Sequence, residues 1–164
     1  GEIRADGTVG DGGKVHLLAQ GTIALGPDSV TTANAGLNGN GGEVIVFSPD
    51  TVLFRSGGSI EAKGGSESGD GGFVEVSGMR HIEVFGDVDV TAANGNGGTW
   101  LIDPSNITIQ DLAGTLDGGG NPFLATGDDS TVSDDAIEAA LNAGGGVNVI
   151  IDTDRPAGAQ NGWR

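Results

Sequence analysis

Gly69-Asp70-Gly71-Gly72-Phe73-Val74-Glu75-Val76 sets a four-residue turn directly before a run in which Val74 and Val76 stand two positions apart. The turn recurs as Gly10-Asp11-Gly12-Gly13, Gly39-Asn40-Gly41-Gly42 and Gly95-Asn96-Gly97-Gly98, so successive copies lie 29, 30 and 26 residues apart. Each copy opens the same alternation: Val15 and Leu17, Val44 and Val46, then Trp100 and Ile102. Apolar residues at every second position after a Gly turn signal a half-buried strand.

Two further runs follow at nearly constant offsets. The second holds Ile23 and Leu25, Val52 and Phe54, Ile82 and Val84, then Ile107 and Ile109. The third holds Val30 and Thr32, Ile60 and Ala62, then Val88 and Val90, and Glu2-Ile3-Arg4-Ala5 reads as the third strand of an earlier coil. Three strands and three turns per unit predict an all-β chain, a right-handed parallel β-helix of about five coils. Each strand then pairs with its counterpart one coil away, about 4.8 Å along the axis. An isolated coil cannot bury its apolar face, so stacking supplies the stability. The Gly-Asp/Asn-Gly-Gly corners are expected to use positive φ, which Gly adopts freely and Asn or Asp tolerates.

An acidic, cysteine-free, Gly-rich composition fits bacterial export. Gly and Pro make up 38 of 164 residues, close to the roughly 25–30% at which an aperiodic chain reads as disordered; the period excludes that reading. There is no cysteine, which rules out disulfides and thiolate metal sites. The net charge is −16, and thirteen Asp and Glu but no Lys or Arg lie between Arg80 and Arg155. Such a surface repels phosphate backbones, which makes nucleic acid a poor partner. Five Phe, two Trp and no Tyr leave little for an aromatic stacking platform. A start at Gly1 suggests a fragment or a processed product. No apolar run reaches the roughly 18 residues that span a bilayer, and no signal peptide is visible.

The pattern breaks in the fourth coil. Its second run arrives one residue early, and Asp103-Pro104 is expected to form a corner, because Pro cannot donate to a ladder. Trp100 falls inward, large for a column of valines, and should fill the coil interior or widen it locally. Residues 111–132 read as loop, with Gly118-Gly119-Gly120 and Asn121-Pro122. A short inserted helix is predicted near 133–143, capped by Ser133, started by Asp134 and Asp135 and ended at Gly144. Ile137, Ala140 and Leu141 should form its packing face. Val147-Asn148-Val149-Ile150-Ile151 resumes the β pattern, and loop follows from Asp154. The organisation is one domain: regular coils over 1–110, a loop and helix insertion or cap over 111–144, and resumed strand and loop over 145–164.

Few residues suggest chemistry. His16 and His81 fall at outward strand positions of different coils and read as exposed surface histidines; they leave no zinc constellation. Glu43 and Glu75 read as sharing one outward position in adjacent coils. That would set two carboxylates within the roughly 5–10 Å a glycosidase needs, although fold alone is no argument for an enzyme. Asp11, Asn40, Asp70 and Asn96 occupy one corner position and could ligate calcium. A ladder serving turn geometry and hydrogen bonding is the better reading. Asp128, Asp129, Asp134 and Asp135 read as a solvated loop and helix start. No catalytic, cofactor-binding or metal residue is therefore assigned, and the chain is read as non-catalytic.

The runs Gly71-Gly72-Phe73-Val74-Glu75-Val76-Ser77-Gly78 and Gly97-Gly98-Thr99-Trp100-Leu101-Ile102-Asp103-Pro104, with Asn106-Ile107-Thr108-Ile109, resemble the large two-partner secretion exoproteins. Filamentous haemagglutinin and the high-molecular-weight adhesins are the familiar members. The resemblance covers roughly residues 10–152, and Trp-Leu-Ile-Asp-Pro is its most specific element. It implies a β-helix exported through an outer-membrane β-barrel partner and placed outside the cell or on its surface, with an adhesive or structural role. The family's Asn-Pro-Asn export-targeting motifs are absent from this sequence. The resulting expectation is a structural segment of a surface adhesin or fibre, joined to the rest of a parent exoprotein and able to meet a host or neighbouring cell. The alternatives are a carbohydrate-binding or carbohydrate-cleaving β-helix, and a filament subunit that stacks end to end through open strand edges.

Overall fold

The computed structural model describes residues 1–110 and 130–153. The chain opens with β1 (Glu2–Arg4) and then winds through β2 (Lys14–Leu18), β3 (Ile23–Leu25) and β4 (Val30–Thr32). The next coil is β5 (Glu43–Ser48), β6 (Thr51–Phe54) and β7 (Ser59–Glu61), and the third is β8 (Phe73–Gly78), β9 (His81–Val84) and β10 (Asp87–Asp89). There follow β11 (Thr99–Pro104), β12 (Thr108–Gln110), β13 (Thr131–Ser133), the helix α1 (Asp134–Asn142) and β14 (Asn148–Ile151). The strands build three parallel sheets, ordered β1-β4-β7-β10, β14-β11-β8-β5-β2 and β12-β13-β9-β6-β3. This is a parallel β-solenoid of about four turns with one short helix, one coil fewer than the repeat count predicts.

The inward columns follow from alternation plus register. Val15, Val44, Val74, Trp100 and Val149 stack in one sheet, and Leu25, Phe54, Val84 and Val132 stack in another. Val44, Val74, Val52 and Ile82 are fully buried, while the outward Lys14 is exposed and Glu43 and Glu75 are half-buried. Each buried Val or Ile contributes roughly 1.5–3 kcal/mol relative to an exposed one. Trp100 is wholly buried between Val74 and Val149, so it fills the interior, and its Nε1 has no hydrogen-bond partner among the described residues.

Several local expectations are corrected. In β4 the inward residue is Thr31, opposite Ile3 and Ile60, and the next is Ala33; Val30 and Thr32 do not face in. Stacking fixes that register, and Thr32 faces outward to donate its hydroxyl to Asp6 Oδ2 at 2.9 Å. Pro104 ends β11 opposite Gly78, so the turn falls two positions later, on Ser105 and Asn106. The Gly-Gly pairs owe their identity to space and not to φ. A Cβ on Gly41, Gly71 or Gly98 would collide with the carbonyl oxygen of Ala62, Val90 or Gly72. Positive φ does occur at Gly69, the first corner residue, at 116°.

The largest departure lies in the fourth coil. Ile107 and Ile109 were expected to stack on Ile82 and Val84, yet β13 pairs with β9 and pushes β12 outward by one rung. Val132 takes the column above Val84 and is fully buried, leaving Ile109 54% exposed. Ser130 sits beside Ile82, whose N–H it accepts at 3.1 Å, and its own N–H donates to Asn106 Oδ1 at 3.1 Å. The loop expected over 111–132 thus ends in a strand, and its part over 111–129 lies outside the described residues, as does the loop from Asp154.

Helix α1 then takes the place of a further strand at the edge of the β1-β4-β7-β10 sheet and packs on β10. It turns Ala136 and Ala140 inward, with Ile137 partly buried and Leu141 exposed, so its packing face is rotated from the expected one. Small alanines let the backbone approach the sheet edge closely; Leu141 would hold it off. Ser133 is the N-cap position without a side-chain cap bond, and Gly144, at φ 99°, ends the helix.

Candidate functional site

The four glycine corners align into one shallow groove of about 530 Å³ running along the solenoid axis. Its floor is the paired glycines Gly12-Gly13, Gly41-Gly42, Gly71-Gly72 and Gly97-Gly98. These backbones are tied to the preceding strand: the N–H groups of Gly42, Gly72 and Gly98 donate to the carbonyls of Ala33, Ala62 and Val90, each at 2.7 Å. The missing Cβ atoms both permit that approach and leave the groove open above it.

One wall is the Asp/Asn ladder. Asp11 Oδ1 accepts the Asn40 N–H at 2.7 Å, Asn40 Oδ1 accepts the Asp70 N–H at 2.8 Å, and Asp70 Oδ1 accepts the Asn96 N–H at 2.8 Å. Every rung therefore joins a side chain to the backbone of the next coil, as the repeated corner position predicts. Among the described residues no group of three or more His, Cys, Asp or Glu side chains is placed to hold a metal ion.

The opposite wall is the column Lys14, Glu43, Phe73 and Thr99. Glu43 receives Lys14 Nζ at 3.2 Å and lies 2.7 Å from His16 Nε2. The His16 contact, aided by Lys14 and opposed by partial burial, holds the Glu43 carboxyl below its ordinary range. Glu43 and Glu75 do not share a position: Glu43 faces Phe73, and Glu75 faces Ile45. The two acids flank Val44 and Val74 on opposite sides, which moves them one pleat apart. Glu75 instead accepts the Ser77 hydroxyl at 2.5 Å.

The two histidines have separate surroundings. His16 is exposed and sits over Glu43. His81, expected at the surface, is 7% exposed, and its neighbour Glu83 is 2% exposed although it points outward from β9. Arg55 Nη1 contacts Glu83 Oε2 at 2.5 Å, His81 Nε2 lies 3.4 Å from Glu83 Oε1, and His81 Nδ1 has no partner among the described residues. A buried carboxylate needs such a partner, because an unpaired charge there is costly. Of the acidic group near the helix, Asp134 and Asp135 occupy the first turn of α1, with Asp134 Oδ1 accepting the Asp135 N–H at 2.9 Å; Asp128 and Asp129 lie outside the described residues.

A second side-chain ladder escaped the sequence reading. Asp6 Oδ1 accepts the Asn34 N–H at 2.8 Å, and Asn34 Oδ1 accepts the Lys63 N–H at 2.8 Å. Burial disfavours the Asp6 charge, but the Asn34 N–H, the Thr32 hydroxyl and Arg4 together outweigh it and lower its pKa. The available signal was the residue after each inward alanine: Ala5-Asp6, Ala33-Asn34 and Ala62-Lys63.

The arrangement offers hydrogen-bonding walls at a regular axial spacing over a main-chain floor. No protein-family model matches the chain, and no curated protein matches it.

Proposed function

We propose that this chain is a structural section of a large bacterial surface adhesin or extracellular fibre, exported through an outer-membrane transporter partner. The observation that carries the proposal is axial continuity. All three sheets run parallel along one axis, and two side-chain ladders repeat the connection at the corners. Load along the axis is shared among many short-range bonds between neighbouring coils, which is how a solenoid transmits stability. Among the described residues β2 and β3 are the end strands of their sheets, and their outer edges offer the same parallel pairing that joins the other coils. An antibody raised against the chain should label intact source cells along surface fibres. Labelling that requires cell lysis would overturn the proposal.

A second reading is a carbohydrate-binding β-helix, favoured by the open corner groove with its polar walls. A glycan array separates the two: specific retention that Phe73→Ala or Asp70→Ala weakens would promote the binding reading.

A further inference from the structure

Four Asn-Gly pairs lie in the described residues: Asn38-Gly39, Asn40-Gly41, Asn94-Gly95 and Asn96-Gly97. Asn-Gly is the dipeptide most open to spontaneous deamidation, because glycine has no Cβ to hinder attack by its own nitrogen. In that reaction the glycine amide loses its proton to solvent base, and its nitrogen attacks Cγ of the asparagine. The C–N bond closes a succinimide ring, and the side-chain nitrogen leaves as ammonia. Water then opens the ring at either carbonyl, giving aspartate or isoaspartate. The co-reactant is water, and nothing is oxidised or reduced.

The attacking N–H must be released from any hydrogen bond before it can react. Three of the four are held by the neighbouring coil. Gly39 N–H donates to Ser68 O at 3.0 Å, Gly41 N–H donates to Asp70 O at 2.8 Å, and Gly97 N–H donates to Gly145 O. Their asparagine side chains are also held. Asn38 Oδ1 accepts the Ser68 hydroxyl at 3.0 Å, Asn40 Oδ1 accepts the Asp70 N–H at 2.8 Å, and Asn96 Nδ2 donates to Asp70 Oδ1 at 3.3 Å.

Gly95 differs. Its N–H has no acceptor among the described residues, and Asn94 is exposed, tethered by a single bond from Nδ2 to Ser66 O at 2.9 Å. At this corner the chain that follows is the turn after α1, and its Gly145 carbonyl takes the Gly97 N–H, not that of Gly95.

We propose that, among the Asn-Gly pairs of the described residues, Asn94 is the site of spontaneous deamidation in the native chain, and that coil stacking protects Asn38, Asn40 and Asn96. The change matters at this place. Gly95 backs onto the Gly69 carbonyl oxygen with no room even for a Cβ. The extra backbone methylene of isoaspartate therefore enters a corner that has no slack, where the regular coils give way to the irregular one.

The test is to age the folded chain at mildly alkaline pH and map the deamidated sites by peptide mass spectrometry, with a parallel sample in denaturant. In the folded chain, acid should accumulate at Asn94 about tenfold or more faster than at Asn40 and Asn96, since those need a local opening that breaks two hydrogen bonds. In denaturant the four rates should converge. Equal rates at Asn94 and Asn40 in the folded chain would overturn the proposal. An unchanged Asn94 preference in denaturant would overturn it too, because local sequence would then be the cause.

Discussion

Asn40 stands between Asp11 and Asp70 on the corner ladder, and two substitutions there separate hydrogen bonding from charge. Its Oδ1 accepts the Asp70 N–H at 2.8 Å, and its own N–H goes to Asp11 Oδ1 at 2.7 Å. Asn40→Ala deletes the acceptor. The corner is exposed, so water partly replaces it, and the loss should be about 1 kcal/mol. Asn40→Asp retains the acceptor but sets three carboxylates on successive rungs, roughly 5 Å apart. Each adjacent pair then repels by about 1 kcal/mol in water, giving a loss of about 2 kcal/mol at low salt. At about 1 M salt the Debye length falls to about 3 Å and most of that repulsion disappears. Urea unfolding at low and high salt measures both. The alanine deficit should be independent of salt, and the aspartate deficit should shrink by more than half. A salt-independent loss in Asn40→Asp, or no loss in Asn40→Ala, would refute the ladder as the source of corner stability.

Four shorter predictions follow from the same geometry. Val74→Asp puts an unpaired charge into a fully buried column and should cost several kcal/mol; a melt like the parent's would disprove the register. Ser130→Ala leaves the buried Ile82 N–H without its acceptor and should lower unfolding stability by roughly 1–3 kcal/mol, whereas an unchanged midpoint would mean that β13 is not seated on β9. The folded-state pKa of Asp6 is depressed, so its stabilising contribution is present at neutral pH and fades as the pH falls through that value. Asp6→Asn should therefore be less stable than the parent at neutral pH, with the gap closing in acid, and a gap that widens in acid would contradict the assignment. Because the ladder oxygens already accept backbone N–H groups, a chelator should leave the melting temperature in place; a fall reversed by calcium would place a cation at the corner.

Part of the candidate groove was legible without coordinates. The repeated Gly-Asp/Asn-Gly-Gly corner placed Asp11, Asn40, Asp70 and Asn96 on one edge, and the hydrogen bonds follow that edge rung by rung. The role of the third and fourth corner residues was not legible, because a need for space and a need for positive φ select the same amino acid. Only the carbonyl oxygens packed against Gly41 and Gly71 distinguish them. Nor could alternation reveal the surroundings of His81 and Glu83. Their outward position on β9 is readable, but whether an outward residue is exposed depends on what lies over it.

Taken alone, the sequence determined the period, the three strands of each regular coil and the columns through Val44, Val74, Val52 and Ile82. These properties are local: each coil repeats its own turn and alternation, and the apolar spacing permits one pleat. The tertiary structure decided which strand occupies the edge of β9. On its pattern the segment 107–110, with Ile107 and Ile109, suits that edge better than 130–133, with Ser130 and Val132, yet β13 holds it and β12 lies beyond. Strand order is a competition between segments for one hydrogen-bonding edge, settled by the whole set of contacts that includes α1 on β10 and β14 on β11. Alternation reports which face of a strand is apolar; it carries no record of which neighbour that strand will find.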